Sequence, residues 1–153
     1  MPQIVKGGKY VYGWSKVGEK GKIVIPPEAL REYDLMSENV ILIPGSKRSG
    51  GFGLTTATLL KNSPLGSIFE DAPQLAEFKT GEGEILEING NPYCWVKLHD
   101  GCITVPPKTL RRYGVNPGSY ILSVRGSNLA LGFPVRGPII EEAKTHKEIA
   151  LFE

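Results

Sequence analysis

The sequence predicts a mainly β fold with short helices, built from two β-β-α-β-β repeats that share one core. The first observation behind this is an internal duplication. Ile23-Val24-Ile25-Pro26-Pro27-Glu28-Ala29-Leu30-Arg31-Glu32-Tyr33 lines up with Ile103-Thr104-Val105-Pro106-Pro107-Lys108-Thr109-Leu110-Arg111-Arg112-Tyr113, and over residues 23–42 eight of twenty positions are identical. Upstream, Trp14 and Lys16 match Trp95 and Lys97 once a one-residue gap is allowed in the following turn. The second observation is the order of short apolar runs and breakers, which repeats with the sequence. The third is size: about fifty residues bury too little surface to be stable alone, and two copies packed as a pseudo-dimer remove that difficulty.

Each element follows from local chemistry. An apolar run with Trp (Tyr10–Val17, Tyr93–Leu98) meets a short turn, Gly18-Glu19-Lys20-Gly21 or His99-Asp100-Gly101, and then a β-branched run (Lys22–Ile25, Cys102–Val105). That is a hairpin signature. Pro-Pro ends the strand because proline cannot donate to a ladder, and its second proline suits the first position of a helix. In the short helix Leu30 and Tyr33, like Leu110 and Tyr113, share one face. Gly114 and Asp34 fall where the exit needs a left-handed residue. A third strand (Asn39–Ile43, Ser119–Val124) and a fourth (Phe52–Leu54, Leu129–Gly132) complete each unit. Glu84–Ile88 with Asn89-Gly90 adds a strand and turn before copy two. Thr55-Thr56 is placed to cap a helix over Ala57–Lys61, Pro73 to open Gln74–Phe78, and Pro138 to open Ile139–Thr145. The organisation is therefore repeat one at 1–54, an acidic, partly helical connector at 55–83, repeat two at 84–133, and a helical tail at 134–153.

Composition narrows the function classes. The 153 residues carry 18 basic and 16 acidic side chains, 19 Gly and 12 Pro. No apolar run reaches the roughly 18–20 residues of a membrane span, and the start has no signal-peptide pattern. The net charge of +2 hides an asymmetry: +3 over residues 1–54, −4 over 55–93, +4 over 94–133 and −1 over 134–153. Basic blocks on the repeats can gather polyanions, unless the acidic connector folds back on them.

The sharpest cluster is on the copy-two helix, where Lys108, Arg111 and Arg112 stand at i, i+3 and i+4 and repel one another. Phosphate would relieve that repulsion; so would Glu28 and Glu32, which occupy matching positions in copy one. Lys16, Lys20, Lys22 and Arg31 pose the same choice between phosphate and solvent. A second candidate is an anion-binding loop at Ser46, Lys47 and Arg48, inside the glycine-rich stretch Gly45–Gly53, whose amides and cations could cradle an anion. It matches no Walker pattern, and a plain hairpin loop is the simpler reading. Cys94 and Cys102 stand roughly 13 Å apart along a hairpin, too far for a disulfide or a shared metal with His99. Two unpaired thiols fit a reducing cytoplasm. Trp14 and Trp95, matched between copies, are expected to pack within the strands. No nucleophile, acid–base, metal or cofactor constellation is visible, so a binding protein is expected rather than an enzyme.

These motifs resemble the AbrB/SpoVT/MazE-like family. Val17-Gly18-Glu19-Lys20-Gly21-Lys22-Ile23-Val24-Ile25-Pro26-Pro27-Glu28 looks like its acidic turn, β-branched run, proline and short helix. His99–Lys108 repeats the pattern, followed by Leu110-Arg111-Arg112-Tyr113-Gly114-Val115. The segment Gly114-Val115-Asn116-Pro117-Gly118 resembles the family's helix exit. The resemblance covers about two-thirds of the chain, and it implies a swapped-hairpin β-barrel formed as an intrachain pseudo-dimer, similar to tandem-copy MraZ regulators. The function it implies is a DNA-binding transcriptional regulator. The contacts carried over are Lys16, Lys22, Arg31, Lys97, Arg111 and Arg112, to which the basic positions Lys20 and Lys108 are added. Copy two departs from the pattern at Cys102, where copy one has Lys22. The alternative is a barrel that binds a small anion or a partner protein and has lost DNA binding. DNA is the expected partner, self-association into a homo-oligomer is compatible with the reading, and no membrane partner is expected.

Overall fold

The computed structural model describes residues 3–4, 10–35, 39–125 and 129–153. Copy one supplies β2 (Tyr10–Lys16), β3 (Lys22–Val24), α1 (Pro27–Glu32), β4 (Asn39–Pro44) and β5 (Phe52–Thr55), after a short β1 (Gln3–Ile4). The connector forms α2 (Ala57–Lys61), a 3-10 turn (Pro64–Ser67), α3 (Ile68–Asp71) and α4 (Pro73–Ala76). Copy two follows with β6 (Leu86–Ile88), β7 (Asn91–Lys97), β8 (Cys102–Thr104), α5 (Pro107–Arg112), β9 (Tyr120–Arg125) and β10 (Leu131–Phe133). The tail holds α6 (Pro138–Ala143) and β11 (Leu151–Phe152). The segment Gly126-Ser127-Asn128, between the third and fourth strands of copy two, lies outside the described residues.

Local chemistry places these elements as the sequence indicates. Thr56 caps α2, its side chain accepting from the Leu59 N–H at 3.1 Å. Proline sits in the first turn of α1, α4, α5 and α6. Asp34 and Gly114 take the left-handed conformation at φ 51° and 79°. Asn89-Gly90 has positive φ at both residues and closes β6 onto β7, the geometry of a type I′ turn. The turn before β8 is tighter than expected. His99 and Cys102 exchange both backbone hydrogen bonds at 2.9 Å, so only Asp100-Gly101 form the loop.

The runs that read as hairpins do not pair as such. β2 pairs with β9 of the other copy, β7 with β4, and β3 with β8, all antiparallel. β5 and β10 also pair across the copies. The β3–β8 register is symmetric about Ile23 opposite Ile103, and the β5–β10 register about Gly53 opposite Gly132. The main sheet runs β1-β2-β9-β10-β5-β4-β7-β6, with β11 added parallel to β2. This path is open at β1 and β6. The expected barrel therefore does not close among the described strands, and the architecture is a mainly β fold with a few short helices.

Register also corrects the repeat alignment. Trp14 faces Leu122 while Trp95 faces Ile41, so Ile41 occupies the place of Leu122, one residue beyond the Ile121 that identity matching assigns it. Copy two has one more residue than copy one between Leu35 or Val115 and the third strand. Alternating residues send side chains to opposite faces. Val40, Leu42, Cys94, Val96 and Ile121 enter a central cluster with Ile23 and Ile103, while Ile41, Ile43 and Trp95 pack beneath the connector helices. Leu122, Val124 and Trp14 pack against the tail. Both tryptophans thus lie on outer faces, under helices, and not in the central core. Connector and tail, which have no counterpart in the repeats at the level of sequence, play the same part on the two sides.

The crossing of the copies is tight at Gly21. Its φ is +89°, and a Cβ there would lie 1.8 Å from the Val105 carbonyl oxygen, while Val105 N–H donates to the Gly21 carbonyl at 3.0 Å. Gly90 has a similar φ of +81° with nothing within 4 Å of such a Cβ. Gly90→Ala should therefore cost about 1 kcal/mol, the left-handed backbone alone, and Gly21→Ala clearly more, about 3 kcal/mol or above. Urea denaturation of the two variants measures the difference.

Candidate nucleic-acid interface

Strand alternation sets the candidate surface. In the β3–β8 ribbon Ile23 and Ile103 are buried, and Lys22, Val24, Cys102 and Thr104 stand on the opposite side. Lys22 lies opposite Thr104, and Val24 opposite Cys102. Lys20 is in the turn that leads into the ribbon, where Gly18 N–H donates to the Lys22 carbonyl at 2.9 Å. Lys16 and Lys97 close β2 and β7 at matching positions. Leu30 reaches to within 3.4 Å of a Cβ on Gly101, so α1, which carries Arg31, sits beside the turn of the other copy. Lys108, Arg111 and Arg112 lie on α5, which follows the ribbon.

All eight residues expected to bind DNA are exposed. Lys20, Lys22, Arg31, Lys97, Lys108 and Arg111 form no ion pair with any described residue. Lys16 places its ammonium 5.9 Å from the ring centroid of Tyr120, a cation–π contact that leaves its charge uncompensated. Of the eight, Arg112 alone is paired among the described residues, with Glu87 of β6. The backbone N–H of Lys97 donates to Glu82 at 2.9 Å, which fixes the strand and does not neutralise the side chain.

Glu28 and Glu32 do not answer the basic helix. Glu28 accepts from the Tyr10 hydroxyl, and Glu32 accepts from Tyr12 and from Arg125, the latter at 2.6 Å. Arg125 also lies 4.6 Å from the Tyr10 ring centroid. Burial, then the bond to Glu28, pushes the Tyr10 phenol up to about 12. The Tyr12 hydrogen bond, joined by Arg125, holds the Glu32 carboxyl below its usual range. The two acids of α1 are thus consumed in fastening it to β2 and β9. Sequence reasoning missed this arrangement because Arg125 and Glu32 are separated by 93 positions, and Arg125 lies outside the repeated motif.

The loop candidate is held differently from an anion cradle. Gly45 N–H donates to Gly51, Gly50 N–H to Ser46, Ser49 N–H to the Ser46 hydroxyl, and Gly51 N–H to Tyr113. Arg136, another residue without a sequence signal, donates to the Lys47 carbonyl at 2.6 Å, and Val135 and Arg136 N–H groups donate to Ser49. The Gly45, Ser49 and Gly50 amides are spent within the loop and that of Gly51 on Tyr113, so Lys47 and Arg48, both exposed, are its side-chain offer to an anion. Ser46 is committed to the turn.

Cys94 is fully buried, and burial pushes its thiol up to about 12, so it packs as an apolar residue. Cys102 is half-buried and donates weakly to the Asp100 carbonyl at 3.6 Å; both thiols are unpaired. No helix among the described residues is long and apolar enough to cross a membrane. Compared with known protein families, with characterised proteins and with solved structures, the chain matches none.

Because the Glu32 pKa is lowered on folding, its contribution to stability is full above the ordinary value of 4.5 and disappears as pH falls through the lowered value. Tyr12→Phe should return the Glu32 carboxyl toward 4.5 and weaken the acid-dependent loss of stability. Carboxyl titration by NMR, with urea melts across the acid range, checks both.

Proposed function

We propose that the chain is a DNA-binding transcriptional regulator of the AbrB/SpoVT type, with its two repeats interlocked as a swapped-hairpin pseudo-dimer in one polypeptide. The reading is supported by strands that pair between copies in a register symmetric about Ile23–Ile103 and Gly53–Gly132. The observation that carries the DNA assignment is that seven of the eight exposed cations on and around the ribbon have no ion-pair partner among the described residues. Uncompensated cations grouped on one set of elements release counterions when they meet a phosphate backbone, and that release drives binding. Lys22 and the turn would lie along the backbone, with Lys108 and Arg111 of α5 flanking them. On this reading the chain binds and does not catalyse.

A second reading is a chain of the same fold that has lost DNA binding and takes a small anion or a partner protein. Cys102 in place of Lys22, and acids at Glu28 and Glu32 where copy two has Lys108 and Arg112, favour it, because the basic surface is one-sided.

A mobility shift on mixed genomic fragments separates the two. Binding at about 50 mM salt, lost steeply as salt rises, is the outcome expected of a DNA binder, whereas no binding at that salt overturns the assignment. Arg111→Ala should weaken binding to all sequences alike and lower the salt slope by about 0.9 for each phosphate that is no longer neutralised. Arg112→Ala, whose guanidinium is already held by Glu87, should do less. Equal effects would mean that Arg112 leaves its partner for DNA.

A further inference from the structure

The two outward tryptophans occupy matching register positions but have different surroundings. Trp95 is 8% exposed, donates its indole N–H to the Thr80 carbonyl at 2.9 Å, and meets the Phe78 ring at 5.5 Å between centroids and 59° between planes. Trp14 is only half-buried. Among the described residues nothing accepts from its indole N–H, and no aromatic ring stacks on it. Between Trp14, the outer face of β2 and β9, and the tail lies a cavity of about 680 Å³, within the size range of small-molecule sites.

We propose that this cavity binds a small aromatic carboxylate, with its ring against Trp14 as Phe78 lies against Trp95 and its carboxylate at Lys144 and Lys147. The walls suit an apolar ring: Ile140 and Ile149 line it, as do Tyr120 and Leu151, at 52% and 47% exposure. Those two are among the three large apolar side chains that stand exposed in the described residues, so apolar surface is concentrated at this site. The charged lining is all basic, Lys144, His146 and Lys147, with no Asp or Glu. His146 is bracketed by Glu148 at 3.1 Å and Glu142 at 3.5 Å, and Lys144 is shared with Glu141 at 3.4 Å. Lys147 has no ion pair among the described residues and is the cation most available to a carboxylate. The proposal does not rest on the DNA reading, although Tyr120 of the cavity wall also carries Lys16 of the candidate DNA surface at 5.9 Å from its ring centroid.

The test compares hydrocinnamate with hydrocinnamyl alcohol, which share ring and chain and differ in charge, on the full chain by NMR of the two indole N–H resonances. Trp14→Phe assigns them. Hydrocinnamate should shift the Trp14 resonance and leave that of Trp95 in place, and the alcohol should bind about fivefold or more weakly. Lys144→Met with Lys147→Met, both on the exposed rim, should remove the preference for the acid and leave the alcohol unchanged. The absence of a Trp14 shift by either compound at about 5 mM overturns the site. Equal affinity for acid and alcohol, or a preference that survives the double variant, overturns the carboxylate assignment.

Discussion

The ribbon formed by β3 and β8 joins two three-residue strands that find no ladder within their own repeats. A strand of that length leaves its backbone groups without partners unless another chain segment supplies them, and unpaired amides in a buried setting are costly. Among the described residues, the partner of matching length and pattern is the equivalent strand of the other copy. Once Ile23 sits opposite Ile103, Gly21 is pressed onto Val105 and Ile25 onto the Gly101 carbonyl. The first strands, β2 and β7, are then carried across to β9 and β4. Most long-range pairings of the sheet are consequences of that crossing, and so is the need for glycine at Gly21, where backbone of one copy occupies the space of any side chain in the other.

Crossing also exposes a problem that the repeats cannot solve by themselves. Strands β2, β4, β7 and β9 carry apolar side chains on both faces, and only one face of each can reach the central cluster. The outer faces need covers, and the chain supplies them from the segments that follow each repeat: α2 to α4 over Trp95, and α6 with Ile149 over Trp14. The connector brings Phe78 and Thr80 onto Trp95, whereas the tail leaves a cavity beside Trp14. The division between a sealed side and an open side follows from unequal covers on a near-symmetric frame.

Much of this frame was legible in the residues. The breakers fixed the elements, since Pro26-Pro27, Pro106-Pro107, Asn89-Gly90 and Gly114 act through backbone geometry that is local to them. Thr56 was legible as a cap for the same reason. Pairing partners were less so: Tyr10–Val17 and Lys22–Ile25 carry every local mark of a hairpin, but their ladder bonds go to segments far away in sequence, and alternation alone does not name a partner. The one-residue slip at Ile41 hid behind a chance Ile-Leu identity, because β-branched and leucine residues recur at both registers. Of the candidate site, the cations were legible as residue types. Which of them is neutralised was not, since the Glu87–Arg112 pair is set by packing between elements with no shared motif.

Electrostatics then decides how the remaining charge behaves. Lys108 and Arg111 are neighbours on one helix face, a repulsion of about 0.2–0.5 kcal/mol, and the exposed Glu87–Arg112 pair returns no more than about 1 kcal/mol. Neither sum threatens folding, so the fold tolerates the basic helix without requiring it. Copy one shows the other solution at the same positions, where Glu28 and Glu32 are bound to Tyr10, Tyr12 and Arg125 and contribute to holding α1 in place. The two helices therefore differ in their acids and not in their shared arginine: Glu28 and Glu32 fasten α1 to the frame, while Arg31 of α1, like Lys108 and Arg111 of α5, has no ion pair among the described residues.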